Sequence, residues 1–138
     1  MRKILAAFAA VLAGWHVVQL FLAGSGAVAP GPVSESFADH QVSGHMMIAL
    51  AIVVVAVSAL ARVPGRVTGL AALILLLLLT QLLLSTVSDA VGGGTESPLV
   101  FGVHAIVGVV SAGLSTLFLV LSVRHARTPV KAPETISP

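Results

Sequence analysis

The chain has 138 residues, of which 57% are hydrophobic and 9% are charged. A water-soluble domain covers its surface with about 25% charged residues, so this composition indicates a protein surrounded largely by lipid. The seven Lys and Arg residues form no basic patch with interleaved aromatic side chains, so nucleic acid is not expected as a partner. Cysteine is absent from the sequence, which excludes disulfides and Cys-ligated iron–sulfur clusters.

Four apolar segments have the length of about 20 residues that a helix needs to cross a lipid bilayer. Segments rich in Gly and Pro separate them, and these connections are short enough to make consecutive helices antiparallel neighbours. We therefore predict an all-α, up-down-up-down four-helix bundle in the membrane, with no internal repeat evident. The predicted transmembrane domain is residues 1–127, with spans at residues 4–23, 37–61, 67–88 and 99–123, followed by a disordered cytoplasmic tail at residues 128–138.

The basic residues all fall at one end of this alternation of helices. They precede the first span, lie between the second and third spans, or follow the fourth: Arg2, Lys3, Arg62, Arg66, Arg124, Arg127 and Lys131. This distribution follows the positive-inside rule, so both termini are expected on the cytoplasmic side. The N-terminal segment also resembles a secretory signal, but its apolar run exceeds the usual length of about 7–15 residues. Because that run also contains His16 and Gln19, we expect it to be a retained span.

Polar side chains inside a span are costly in lipid and usually face the interior of a helix bundle. Each span contains one such residue at a similar depth, ~8–12 Å inside the outer boundary at a rise of 1.5 Å per residue: His16, His45, Gln81 and His104. Gln19 lies one helical turn from His16, on the same face. The sequence therefore predicts one polar layer in the outer half of the bundle.

His40 differs in position from the histidines of the polar layer. It precedes His45 by five residues, which places the two side chains about 140° apart around a helix. It also lies closer to the membrane surface. The spacing therefore predicts that His40 does not point the same way as His45 and that it is an interfacial residue rather than a ligand.

A layer of imidazoles between helices suits more than one kind of site. Two neutral imidazoles that face each other at matched depth can ligate the iron of haem b, with room for the macrocycle left by small residues: Gly14, Gly44, Ala49 and Gly108. A histidine with Met46 or Met47 would suit copper, and a series of histidines could relay protons. The candidate metal ligands are His16, His45 and His104, and the candidate cofactor-binding residues are these three with His40, Gln19 and Gln81.

The same residues also permit a structural interpretation. A membrane histidine can hydrogen-bond Ser or Gln on a neighbouring helix, which contributes about 0.6 kcal/mol on average. The chain would then be a non-catalytic accessory or assembly subunit of a larger membrane complex, or would form a homo-oligomer, through its Gly, Ala and Ser faces. The sequence has neither paired intramembrane carboxylates nor a phosphate-binding loop, so an enzyme acting by itself is not expected and a small transporter is a further alternative only.

Short motifs spread over about residues 10–120 carry a family resemblance. They are Trp15-His16, residues 19–24, residues 37–40 with Gly44, Ala61-Arg62 with Arg66, Gly69-Leu70, Gln81 and His104-Ala105. Together they resemble a family of small four-helix prokaryotic membrane proteins with no assigned function. The resemblance implies the four-helix fold and a prokaryotic plasma membrane, and it implies no activity. Its pattern is similar at His40 and His104, whereas the depth argument favours His16, His45 and His104.

More loosely, the arrangement resembles the membrane cores of b-type cytochromes and of haem-handling four-helix bundles. Those proteins commonly place basic residues near the haem propionates, and the outer side of this sequence has none. Backbone amides, Ser, Gln or His40 would have to hold the propionates instead. The leading hypothesis is a small membrane haem b protein for electron transfer or haem handling, and the identity of the ligating histidine pair stays open.

Overall fold

A computed structural model of the chain describes residues 1–92 and 98–128. Within these residues the secondary structure is entirely helical, without strands. The helices are α1 (Arg2–Val28), α2 (Val33–Ser36), α3 (Ala38–Leu60), α4 (Gly65–Gly92) and α5 (Pro98–Arg127). All except α2 are long and apolar enough to cross a membrane. The prediction of an all-α bundle of four apolar helices is confirmed.

The long helices extend beyond several of the predicted spans, because a helix continues past an apolar segment until its backbone is interrupted. α1 continues to Val28, just before Pro30. α3 ends at Leu60, and Arg62 then adopts a positive φ of 49° before Pro64. The connection between the third and fourth spans and the predicted disordered tail fall largely outside the described residues.

The short helix α2 was not predicted, and it packs against the end of α1. A Cβ atom at Gly26 would lie 2.7 Å from the carbonyl oxygen of Ser36 and 3.0 Å from the ring of Phe37. A side chain at position 26 would therefore force this connection away from α1. The close contact fixes the position from which α3 begins.

The four long helices form a closed ring. α1 and α4 each pack against both α3 and α5, whereas within the described ranges the backbones of the diagonal pairs α1–α4 and α3–α5 do not come close to each other. This is the arrangement of an up-down-up-down bundle with short connections. A guanidinium nitrogen of Arg2 donates to the carbonyl oxygen of Thr128 at 3.3 Å, which joins the start of α1 to the end of α5. We call this end of the bundle, which also carries Arg62, the basic end.

The half of the bundle next to the basic end, here the basic half, holds a closely packed core. Its buried apolar side chains come from all four long helices and include Leu5, Ala9, Leu12, Val54, Ala71, Ile74 and Phe118. Ser58, Ser115 and Ser122 are buried with them. Small side chains let helices approach closely, and such packing is a main source of association energy in lipid. The opposite half is built differently and contains the candidate site.

Candidate functional site

A cavity of about 370 Å³ lies in the half of the bundle away from the basic end, which we call the cavity half. All four long helices line it, and its polar lining residues are His16, Gln19, His40, Gln41, His45, Gln81, Ser85, Thr86, His104 and Ser111. The volume falls within the range of about 300–1,000 Å³ that is typical of small-molecule sites. Every cofactor-binding candidate identified in the sequence borders this one cavity.

His40 and His104 approach each other across the bundle axis. They belong to α3 and α5, a diagonal pair of helices, and their ring centroids are 6.1 Å apart with an interplanar angle of 59°. Two imidazoles that share one metal ion through metal–nitrogen bonds of about 2.0–2.1 Å have ring centroids roughly 6 Å apart. The separation of these two rings therefore suits two ligands of one metal ion.

His40 was predicted to lie at the interface and to point in a different direction from His45, and the first of these predictions is wrong. Its side chain lines the same cavity as His45, and its Nδ1 donates to the backbone carbonyl oxygen of Gln19 at 3.2 Å. The two histidines still point in different directions around α3. His45 is exposed and borders the cavity from the outer side of the helix. The cavity therefore extends around α3 further than the helical spacing alone could indicate.

Three of the cavity histidines are fixed through Nδ1. Besides His40, the Nδ1 atom of His16 donates to the carbonyl oxygen of Leu12 at 3.0 Å, and that of His45 donates to the carbonyl oxygen of Gln41 at 2.8 Å. A carbonyl oxygen can only accept, so Nδ1 carries the hydrogen in each ring. In the neutral ring Nε2 then has the lone pair, and a backbone partner on the other nitrogen is what metal-binding histidines usually have.

The deeper part of the cavity contains polar atoms without partners. Among the described residues, Nε2 of His16, Oε1 of Gln19, Oε1 of Gln81 and Oγ of Ser111 are buried and make no hydrogen bond within the protein. His16 is only 4% exposed. Buried polar atoms are normally paired with protein, water or a ligand. The deeper part of the cavity is therefore suited to hold water or the polar groups of a ligand.

A short repeat surrounds the two facing histidines. Residues 37–44 and residues 101–108 both follow the pattern Phe-x2-His-x3-Gly, on α3 and α5 respectively. Phe37 packs edge-on against His40 and against Phe101, each at a centroid distance of 6.1 Å. Sequence reasoning missed this repeat and gave neither phenylalanine a role at the site. Phe is rare in this chain, and its identical spacing to the two histidines is the signal that could have found them.

The glycines of the repeat provide room on the cavity side of each helix. A Cβ atom at Gly44 would lie 3.3 Å from Nε2 of Gln19, and one at Gly108 would lie 2.9 Å from Nε2 of Gln81. Each helix of the pair α3 and α5 thus presents a histidine and a glycine, with a glutamine from α1 or α4 against the glycine. The site has an approximate twofold pattern that relates the hairpin α1–α3 to the hairpin α4–α5. Gly14 and Ala49, which were also expected to leave room, are exposed and do not line the cavity.

The arrangement suits a site with two imidazole ligands better than one with three. Across residues 1–92 and 98–128, no group of three or more His, Asp or Glu side chains is placed to hold a metal ion. The predicted metal-ligand set of His16, His45 and His104 is therefore not brought together as one site. Of the two methionines considered for copper, Met47 lines the cavity and Met46 is 58% exposed.

Comparison with known proteins identifies the family but no activity. Residues 19–87, half of the chain, match a family described as a family of unknown function (DUF6220). No curated protein and no solved structure matches the chain. The matched segment includes Gln19, His40, Gly44 and Gln81, which line the cavity, and it ends before α5. As its motifs predicted, the chain belongs to a family of membrane proteins of unassigned function, DUF6220.

Proposed function

We propose that this chain is a small membrane haem b protein that acts in electron transfer or haem handling, and that His40 and His104 are the residues that would hold its iron. The observation that supports it is the facing pair itself, with ring centroids 6.1 Å apart on diagonal helices. A bound haem would supply a one-electron iron couple whose potential depends on its axial ligands and its surroundings. Residues around the two histidines would hold the haem.

The residues around the pair fit a flat macrocycle. Gly44 and Gly108 lie one helical turn below the two ligands and present bare backbone to the cavity, where any Cβ atom would contact a glutamine side chain. The backbone carbonyl oxygen of Gln19 accepts a hydrogen bond from Nδ1 of His40, which holds the ring of His40 at the cavity. Gln19 and Gln81 have flexible side chains that can turn away from the glycines when a ligand enters.

The location proposed for the site is near the outer face of a prokaryotic plasma membrane. The support is the charge distribution: the basic residues of the described ranges, Arg2, Lys3, Arg62, Arg66, Arg124 and Arg127, occupy or adjoin the ends of helices at the basic end. The positive-inside rule assigns that end, with both termini, to the cytoplasm. The cavity, in the opposite half of the bundle, would then receive electrons or haem from the outer side.

An accessory or assembly subunit without a ligand is the alternative. It predicts histidines that are hydrogen-bonded to Ser or Gln side chains of other helices, in an interior without a void. Here the Nδ1 atoms of His16 and His45 donate to backbone carbonyls of their own helices, and both residues border a cavity of about 370 Å³. The cavity therefore favours a bound ligand over the structural role.

The test is an absorption spectrum of the detergent-purified protein, oxidised and then reduced with dithionite, after expression with adequate haem. The expected result is a Soret band with sharp α and β bands on reduction, because two imidazole ligands give low-spin haem. His40→Ala and His104→Ala should each abolish these bands. His125→Ala is the control, since His125 lies 21 residues from His104 on α5, about 31 Å along the helix axis.

Two further variants test the choice of ligands. His16→Ala and His45→Ala should keep the low-spin spectrum if His40 and His104 are the axial pair. A spectrum lost in these two variants and kept in His40→Ala would replace the proposed pair with the one favoured by depth. A wild-type protein that shows no haem absorption, even after addition of haemin, would overturn the proposed function and favour the accessory subunit.

A further inference from the structure

The twofold pattern of the cavity is broken on one side. Aligning residues 37–44 with residues 101–108 pairs Gln41 with Ala105, and the next positions pair His45 with Val109. All four residues line the cavity. The α3 copy of the motif is therefore polar at two positions where the α5 copy is apolar.

The two helices that carry the glutamines, α1 and α4, show the same kind of difference in polarity. Aligning Gln19 of α1 with Gln81 of α4 pairs Ala23 with Ser85, and both of these residues also line the cavity. Because α3 packs against α4 and α1 packs against α5, the polar members of these pairs share one side of the cavity. The apolar members share the opposite side, so the two sides have different chemistry.

His45 shows that the polar side reaches the surface of the bundle. It is exposed eight residues into α3, where an ionisable side chain facing lipid is costly and usually has a functional reason. Its Nδ1 donates to the carbonyl oxygen of Gln41, which fixes the ring and leaves Nε2 for an external partner. A polar group of a bound ligand at this edge of the cavity would explain the position of His45.

On the basis of the proposed function, we infer that the α3–α4 side binds the carboxylate edge of the haem and that the α1–α5 side binds its apolar edge. Gln41 can donate from its amide and Ser85 from its hydroxyl, and each is a suitable partner for a carboxylate. His45 borders the cavity on the same side. These residues would replace the basic residues that the outer side of the sequence lacks. The asymmetry then sets a single orientation for an asymmetric ligand between two similar histidines.

The experiment compares haem with haem dimethyl ester, in which both carboxylates are blocked. Wild-type protein should bind haem about tenfold or more tightly than the ester, after correction for partition into empty micelles, because charge-assisted hydrogen bonds are lost in the ester. The triple variant Gln41→Ala/His45→Val/Ser85→Ala gives the α3–α4 side the residues of the α1–α5 side and should bind the two ligands with affinities within about twofold of each other. The reduced spectrum of this variant should stay low-spin, since His40 and His104 are unchanged.

A matched control makes the opposite exchange. Ala23→Ser/Ala105→Gln/Val109→His gives the α1–α5 side the polar residues of the α3–α4 side. The two orientations then become equivalent and the haem methyl resonances in the NMR spectrum should double, while haem remains preferred over its ester. Wild-type protein that binds haem and its ester equally would overturn this inference and leave the axial pair standing. Failure of the wild type to bind either ligand would instead overturn the proposed function.

Discussion

The basic half and the cavity half are made from the same four helices but differ in what those helices place inside the bundle. On α1 the interior positions run through Leu5, Ala9 and Leu12 in the basic half and continue through His16 and Gln19 in the cavity half, all of them buried. The spacing of three or four residues is unbroken, so the helix presents one continuous interior face. The backbone arrangement therefore stays constant, and only the chemistry of the side chains changes from packing to a polar cavity.

α5 shows the same division in the reverse direction. In the basic half it buries Ser115, Phe118 and Ser122, and Phe118 is 0% exposed. In the cavity half it presents His104 and Gly108 to an open space. A ring of four helices can therefore hold its shape through one half while the other half leaves room for a ligand. Stability and ligand binding should respond to mutations in different halves.

The largest effect on stability is expected from Phe118→Ala in the basic half. Truncation should reduce the free energy of unfolding by roughly 3 kcal/mol, the lower end of the range for buried Phe→Ala changes, because the ring exchanges protein contacts for lipid rather than for water. Phe101→Ala in the cavity half is the matched variant, since Phe101 is 41% exposed and should cost about 1 kcal/mol or less. Unfolding measured in bicelles compares the two.

The same pair of variants can contradict this difference between the two halves. If Phe101→Ala destabilises the protein as much as Phe118→Ala does, the cavity half contributes to stability as a packed core. The haem spectrum should respond in the opposite order, because Phe101 packs against Phe37 beside the histidine pair and Phe118 does not line the cavity.

An intermediate effect is expected from filling the cavity with Gly108→Leu. The new side chain would meet the amide of Gln81, which lies 2.9 Å from the position of a Cβ atom, and would occupy space that the ligand needs. Haem affinity should fall about tenfold, equivalent to about 1.4 kcal/mol. Gly113→Leu on the same helix is the control, because a Cβ atom there meets nothing within 4 Å. Equal affinities in the two variants would show that the glycine of the repeat does not shape the ligand site.

The helices and the polar layer could be predicted from the sequence, because both depend on composition and on depth along a helix. The leucine run at residues 75–79 shows the limit of such predictions, because its hydropathy alone indicates contact with lipid, yet Leu78 is buried at 3% exposure. In a helix that is apolar on all sides, hydropathy does not distinguish the face that contacts protein from the face that contacts lipid.

The relative positions of the histidines could not be predicted from the sequence either, because they depend on how the helices pack. Depth along each helix favoured His45 over His40, but the rings brought to 6.1 Å are those of His40 and His104. Which face of α3 meets the axis of the bundle is set by packing against α1 and α4, and by the contact of Gly26 with Ser36 that positions the start of α3. Neither feature has a signal in the hydropathy of the chain.

The smallest effects should distinguish two buried serines of the basic half. Ser58 and Ser115 are both 0% exposed. The hydroxyl of Ser58 donates to the carbonyl oxygens of Val54 and Val55 on its own helix, whereas that of Ser115 is among the buried atoms without a partner in the described ranges. A separated helix in the membrane keeps bonds within itself, so Ser58→Ala should leave the free energy of unfolding nearly unchanged.

Ser115→Ala should instead increase the free energy of unfolding slightly. In a separated α5 the hydroxyl can donate to a carbonyl of its own helix, and packing in the bundle removes that bond. Alanine has almost the same volume and loses no bond, so the gain should approach the average membrane hydrogen bond of about 0.6 kcal/mol. Unfolding of both variants in bicelles measures the difference directly. A loss of stability in Ser115→Ala would mean that this hydroxyl has a partner such as buried water, and that the polar character of the cavity half extends into the basic half.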